Sequence, residues 1–122
     1  KNNLLTAEVY EFLYDLSVYD KKYAKAEEYR KQITDIKTAL LGADAPETHL
    51  AKVKMANFLL DFTNKLADAG KIYEESYIKI VAPQIGPWQK DHLEILNHLA
   101  TYYELTDRYQ EANATLEKAK YV

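Results

Sequence analysis

HLATYYELTDRYQEANATLEKA, residues 98–119, holds two runs with helical apolar spacing, broken once at Thr106-Asp107. In the second run Tyr109 stands three residues before the small Ala112. The same large-then-small pair occurs at Tyr23/Ala26 and at Leu66/Ala69, 43 residues apart each time. The register extends outward. Leu13 falls on Ala56 and Leu99, and Leu16 falls on Leu59 and Tyr102, while Gly42 and Gly86 mark equivalent linkers one residue out of step. A fixed period in this range predicts stacked supersecondary units, each too small to bury its apolar face alone. Two antiparallel helices approach closely only where a crossing residue is small, which predicts Ala26, Ala69 and Ala112 as contacts. Tyr23, Leu66 and Tyr109 would then plug the gap near the loop. Truncating a buried Tyr109 to Ala should cost about 3–5 kcal/mol, and enlarging Ala112 to Leu about 1–3 kcal/mol.

Few breakers interrupt the rest of the chain. Gly42 to Pro46 and Pro83 to Pro87 are strong, and Tyr19-Asp20-Lys21 and Thr63-Asn64-Lys65 are weaker. Val9, Phe12, Leu13 and Leu16 form one helical stripe, and Leu93, Leu96, Leu99, Ala100 and Tyr103 another. Asp44-Ala-Pro-Glu47 has the order of a helix start, with Asp as N-cap and Pro in the first turn, and Asp107-Arg-Tyr-Gln110 has similar character. The spacing predicts six helices, at 4–19, 22–41, 45–63, 66–82, 88–105 and 108–120, and no strand. They group into repeats at 4–41, 45–82 and 88–120 of a single domain.

Composition narrows the function classes. The 122 residues are 48% hydrophobic and 29% charged, as in an ordinary globular domain, with only three Gly and three Pro. A net charge of −3 argues against general nucleic-acid binding, which needs excess Lys and Arg. The basic, Tyr-bearing YDKKYAKAEEYRK carries acids that cancel most of its field. Without Cys there is neither a disulfide framework nor a thiolate metal site. That leaves the compartment open and favours cytoplasm over periplasm. No apolar run approaches the roughly 20 residues of a membrane span. The Lys-Asn-Asn start and the Tyr-Val end, still within a helical pattern, read as a piece of a longer protein.

The quoted stretch resembles the tetratricopeptide repeat, whose helix pair reads roughly L-A-x-L-Y-x-x-x-G-x-Y-x-E-A. Leu99, Ala100, Tyr102, Tyr103, Tyr109, Glu111 and Ala112 match, with Asp107 at the usual glycine. In LYDLSVYDKKYAKAEEY the matches are Leu13, Leu16, Tyr23 and Ala26, with departures at Tyr14 and Ser17. The middle copy diverges most, at Ala56, Asn57 and Leu66, but Ala69 fits. The linkers LLGADAPETH and APQIGPWQKDH are similar to the longer-period form in kinesin light chains. The resemblance implies an all-α, right-handed solenoid of three stacked helix pairs. It also implies a protein-interaction scaffold that binds a peptide or helix on a concave face lined by the first helix of each pair. Carried over residue by residue, that face comprises Glu8, Glu11, Phe12, Asp15 and Tyr19; Lys54, Phe58, Asp61 and Phe62; and Asn97, His98, Thr101 and Glu104. Phe58 and Phe62, at i,i+4, would form an apolar pocket in a net acidic surface that prefers a partner segment with Lys or Arg beside an apolar anchor. If Phe58 and Phe62 instead pack between neighbouring helices, the pocket disappears. The basic clamp by which some members hold chaperone tails is not assembled, since Lys54 and Asn97 are isolated. The alternative expectation is a structural spacer, or self-association through apolar ends such as Leu116, Ala119 and Tyr121.

Signals for chemistry are weak. Glu94 and His98 have a spacing that can place two ligands on one metal, but no third ligand accompanies them, so a polar surface pair is expected. His49 and His92 fall near helix starts, where solvation is expected. Ser17 and Ser76 lie mid-helix, outside any nucleophile elbow, and no glycine-rich phosphate loop occurs. The sequon Asn113-Ala-Thr115 lies in a predicted helix and carries no weight. Neither an enzyme activity nor a cofactor is expected. Tyr23, Tyr102, Tyr103 and Tyr109 are expected in the core, and Tyr10, Tyr14, Tyr29, Tyr73 and Tyr77 between helices.

Overall fold

Asn3 opens the first helix: its side-chain oxygen accepts from the Thr6 amide at 2.8 Å. A computed structural model describes residues 3–84 and 89–122. Among them are six α-helices and no strand: α1 Leu4–Tyr19, α2 Tyr23–Leu41, α3 Pro46–Phe62, α4 Leu66–Ser76, α5 Gln89–Leu105 and α6 Tyr109–Ala119. Each helix packs on its neighbours in the chain, and α3 also touches α5, so helix pairs stack consecutively as in a helical-repeat solenoid. The predicted 66–82 helix is divided. After α4 the chain continues as a π-helical segment, Tyr77–Val81, closed by the Ala82 amide donating to the Tyr77 carbonyl at 2.9 Å. The wider turn lets two consecutive residues, Ile80 and Val81, both face the core. Gly86, Pro87 and the predicted start of the fifth helix at 88 lie outside the described residues.

The 43-residue period is visible in the backbone. Lys22, Lys65 and Arg108 each precede the second helix of a pair, with φ between −85° and −100° and ψ between 57° and 72°. Their carbonyls accept from the amides of Ala26, Ala69 and Ala112 at 3.0, 3.2 and 3.0 Å. All three alanines are buried, as close helix crossing requires. In the first and third turns the preceding residue, Lys21 or Asp107, has φ near +60°, the left-handed region that explains why glycine is usual there. The middle turn is built differently: Thr63 ends α3 and its hydroxyl accepts from the Lys65 amide at 3.0 Å.

Equivalent positions across the helix pairs are filled differently. Tyr14 and Arg30, Asn57 and Tyr73, and Ala100 and Leu116 occupy equivalent positions across the helix pairs. In the first pair the buried Arg30 guanidinium lies 3.8 Å over the Tyr14 ring and its Nη1 is 2.9 Å from Glu11 Oε1. That is an ion pair by distance, without hydrogen-bond alignment at Nη1. In the second, the Tyr73 hydroxyl donates to Asn57 Oδ1 at 2.6 Å. Burial raises the Tyr73 hydroxyl pKa. Tyr14 and Asn57, where the third copy has the small Ala100, each serve one of these pairings.

Val9, Phe12 and Leu16 of the α1 stripe are exposed, and the inward face of α1 carries Ala7, Tyr14 and Ser17. Several expectations fail. Tyr109 is 63% exposed and donates to Asp107 Oδ1, so it plugs nothing. Asp44 does not cap α3. The N-cap is Ala45, and Thr48 closes the linker by donating to the carbonyls of Gly42 at 2.7 Å and Lys37 at 3.3 Å. His49 and His92 are buried, not solvated.

Candidate functional site

The first helices of the pairs, α1, α3 and α5, carry the candidate surface. Two clefts open between them. One, of about 320 Å³, is walled by Leu4, Ala7, Glu8 and Glu11 of α1, Lys37 and Leu41 of α2 and Glu47 of α3. The other, of about 260 Å³, lies between α3 and α5 and includes Glu47, Leu50, Lys54, Asp91, Glu94 and Ile95, with Lys37 again at its edge. Because Lys37 and Glu47 line both, the clefts lie side by side across the three first helices, and together they make the candidate trough. Its position follows from local structure. Thr48 ties the start of α3 to the end of α2, which brings Lys37 beside Glu47. Glu47 and Asp91 sit in the first turns of α3 and α5, where carboxylates are favoured by the helix dipole.

The trough is acidic. It holds Glu8, Glu11, Glu47, Asp91 and Glu94 against Lys37 and Lys54. Glu11 is partly spent on Arg30. Glu94 accepts from Asn57 Nδ2 at 3.3 Å, so its carboxylate belongs to a chain running from Tyr73 through Asn57. The remaining carboxylates form no ion pair with any described residue inside the trough. Apolar side chains Leu4, Leu41, Leu50 and Ile95 contribute to the walls.

Of the residues expected on a binding face, Glu8, Glu11 and Lys54 come together here. Phe12, Asp15 and Tyr19 lie on a separate exposed face of α1. Phe58 is not a groove residue: it is 1% exposed, with its ring edge-on to Tyr14 at 6.0 Å. Phe62 stacks on Tyr23 at 5.1 Å and against Phe58 at 5.6 Å, so the pair seals the junction of α1, α2 and α3 in place of an open pocket. Asp61, Asn97, Thr101 and Glu104 are exposed outside the clefts, and the Thr101 hydroxyl turns back to the Asn97 carbonyl at 3.0 Å. Half-buried His98 donates from Nδ1 to the Glu94 carbonyl at 2.9 Å and stacks on Tyr73. That bond uses the ring for packing, and the Glu94 carboxylate points to Asn57, so the two do not converge as metal ligands. No group of three or more His, Asp or Glu among the described residues is placed to hold a metal.

Sequence reasoning missed Lys37, Glu47, Asp91 and Glu94 as a set. The signal was present in the linker: a short turn between α2 and α3 necessarily brings the end of one to the start of the other. No family model and no curated protein matches the chain. No helix among the described residues is long and apolar enough to cross a membrane.

Proposed function

We propose that this chain is a protein-interaction scaffold, similar in plan to tetratricopeptide repeats, that holds a basic segment of a partner protein in the trough across α1, α3 and α5. The observation that carries this reading is the adjacency of the two clefts at Lys37 and Glu47, with five carboxylates and two lysines in their linings. Field lines converge in such a concave, single-sign surface, which steers and orients an oppositely charged segment. Half-buried Leu50 offers the apolar contact that the Phe58/Phe62 pair does not.

The test is fluorescence anisotropy with labelled peptides that alternate Lys or Arg with one Leu anchor, compared with acidic counterparts. Basic peptides should bind better, and more weakly as salt rises. Reversing Glu47→Lys and Asp91→Lys together should weaken basic peptides about tenfold. Equal binding by the wild type and this variant removes the trough from the site. A second reading, a spacer or self-association segment, is favoured by the exposed apolar side chains Leu116 and Tyr121 near the end of α6. Light scattering across a concentration series separates the two, because a strict monomer at high concentration rules out self-association.

A further inference from the structure

Leu5, Val9, Phe12, Leu16 and Tyr19 follow one another along α1 at steps of four and three. All five are between 54% and 85% exposed. The opposite face of α1 is committed inward, with Ala7 and Ser17 buried, Tyr14 against Phe58 and Glu11 on Arg30. A mean step of 3.5 keeps these side chains in one narrow seam about 21 Å long, the pattern with which one helix lies along another. An extended strand presents its side chains at period two and matches only part of such a seam.

We propose that the seam docks an amphipathic helix of a partner protein whose own apolar seam is flanked by lysine or arginine. The charge requirement comes from the rim. Glu8 and Asp15 immediately precede Val9 and Leu16. Both are exposed and form no ion pair among the described residues. Asp20, Lys21 and Lys22 all lie beyond the helix end. A second copy of this chain is the wrong occupant. Antiparallel pairing about Phe12 sets Glu8 of each chain near Asp15 of the other, and in either direction α1 has no Lys or Arg to meet them. Like charges beside a helical seam oppose pairing, whereas a basic flank meets each carboxylate with its opposite. The surface is separate from the trough, with which it shares only Glu8 at its edge.

The experiment uses the full chain and two labelled synthetic 18-residue helical peptides with leucines at alternating three- and four-residue steps. One carries lysines on the flanks, the other glutamates. The lysine peptide should bind and gain helicity by circular dichroism. The exposed double variant Phe12→Ser/Leu16→Ser, which leaves the core intact, should weaken it about a hundredfold. Asp15→Lys, outside the trough, should weaken it about fivefold and improve the glutamate peptide. The trough variant Glu47→Lys/Asp91→Lys should leave it bound, which separates this surface from the trough. Equal binding of the two peptides overturns the inference. So does binding that survives Phe12→Ser/Leu16→Ser, and so does a dimer that the same substitutions dissolve.

Discussion

Gly70 lies in α4 where the Tyr102 ring of α5 crosses it. A Cβ added there would stand 2.1 Å from Tyr102 Cζ, 2.4 Å from Cε1 and 2.6 Å from Cε2. Ordinary carbon–carbon contact needs about 3.5–4.0 Å, so the ring would have to move by more than an ångström. It has little room: Tyr102 is buried and its ring packs against Tyr103 at 5.5 Å. Overpacking of this kind costs about 1–3 kcal/mol. In the opposite direction, alanine in a helix interior is favoured over glycine by about 0.5–1 kcal/mol. The packing term wins, and Gly70→Ala is expected to destabilise by about 1–2 kcal/mol, lowering the melting temperature by about 4–8 °C. Thermal unfolding followed by circular dichroism measures this. The cause is isolated by a double-mutant cycle with Tyr102→Leu, which places there the residue type found one period earlier at Leu59. In the Tyr102→Leu background Gly70→Ala should be neutral or stabilising. A higher melting temperature for Gly70→Ala alone, or strict additivity of the two changes, refutes the reasoning.

Three further outcomes follow from the same packing. Asn57→Leu strands the buried Tyr73 hydroxyl and should cost about 1–3 kcal/mol in chemical denaturation, most of it recovered when Tyr73→Phe is added; no recovery would mean that the hydrogen bond is not the cause. His49 is buried with neither ring nitrogen hydrogen-bonded, and burial chiefly, with Lys52 nearby, lowers its pKa. The folded chain therefore binds fewer protons than the unfolded one, so His49's share of stability is complete above the ordinary histidine value of about 6.5 and declines as pH falls below it. His49→Leu should flatten the fall in melting temperature between about pH 7 and 5, and an unchanged slope would exclude His49 as its source. At the third turn, Ala112→Leu should cost about 1–3 kcal/mol, while Tyr109→Ala, at an exposed ring, should stay within about 0.5 kcal/mol in the same melts; the reverse order would contradict the turn geometry.

The contrast between Ala112 and Tyr109 shows which parts of the structure were legible in the sequence. Small residues at a fixed interval carry one physical meaning, close approach of two backbones, and Ala26, Ala69 and Ala112 are all buried accordingly. Large residues at a fixed interval are ambiguous, because an aromatic ring serves a crossing or an open edge. Tyr23 stacks on Phe62, while Tyr109 points to solvent at the equivalent position. The helices were legible to within a residue or so at most ends, since spacing and breakers act locally. Tertiary choices were not: whether α1 buries Ala7 and Ser17 or Val9 and Phe12 depends on which neighbours exist to receive each face. The apolar stripe read along α1 is therefore present as a stripe, but spacing did not say which way it faces. The candidate site divides along the same line. Glu8, Glu11 and Lys54 were reached through the resemblance, which assigns the first helix of each pair to one face, whereas Lys37 and Glu47 meet where Thr48 closes the α2–α3 turn on the Lys37 and Gly42 carbonyls. That closure sets the two clefts side by side. The proposed surface thus depends on a buried linker hydroxyl as well as on the charges that line it.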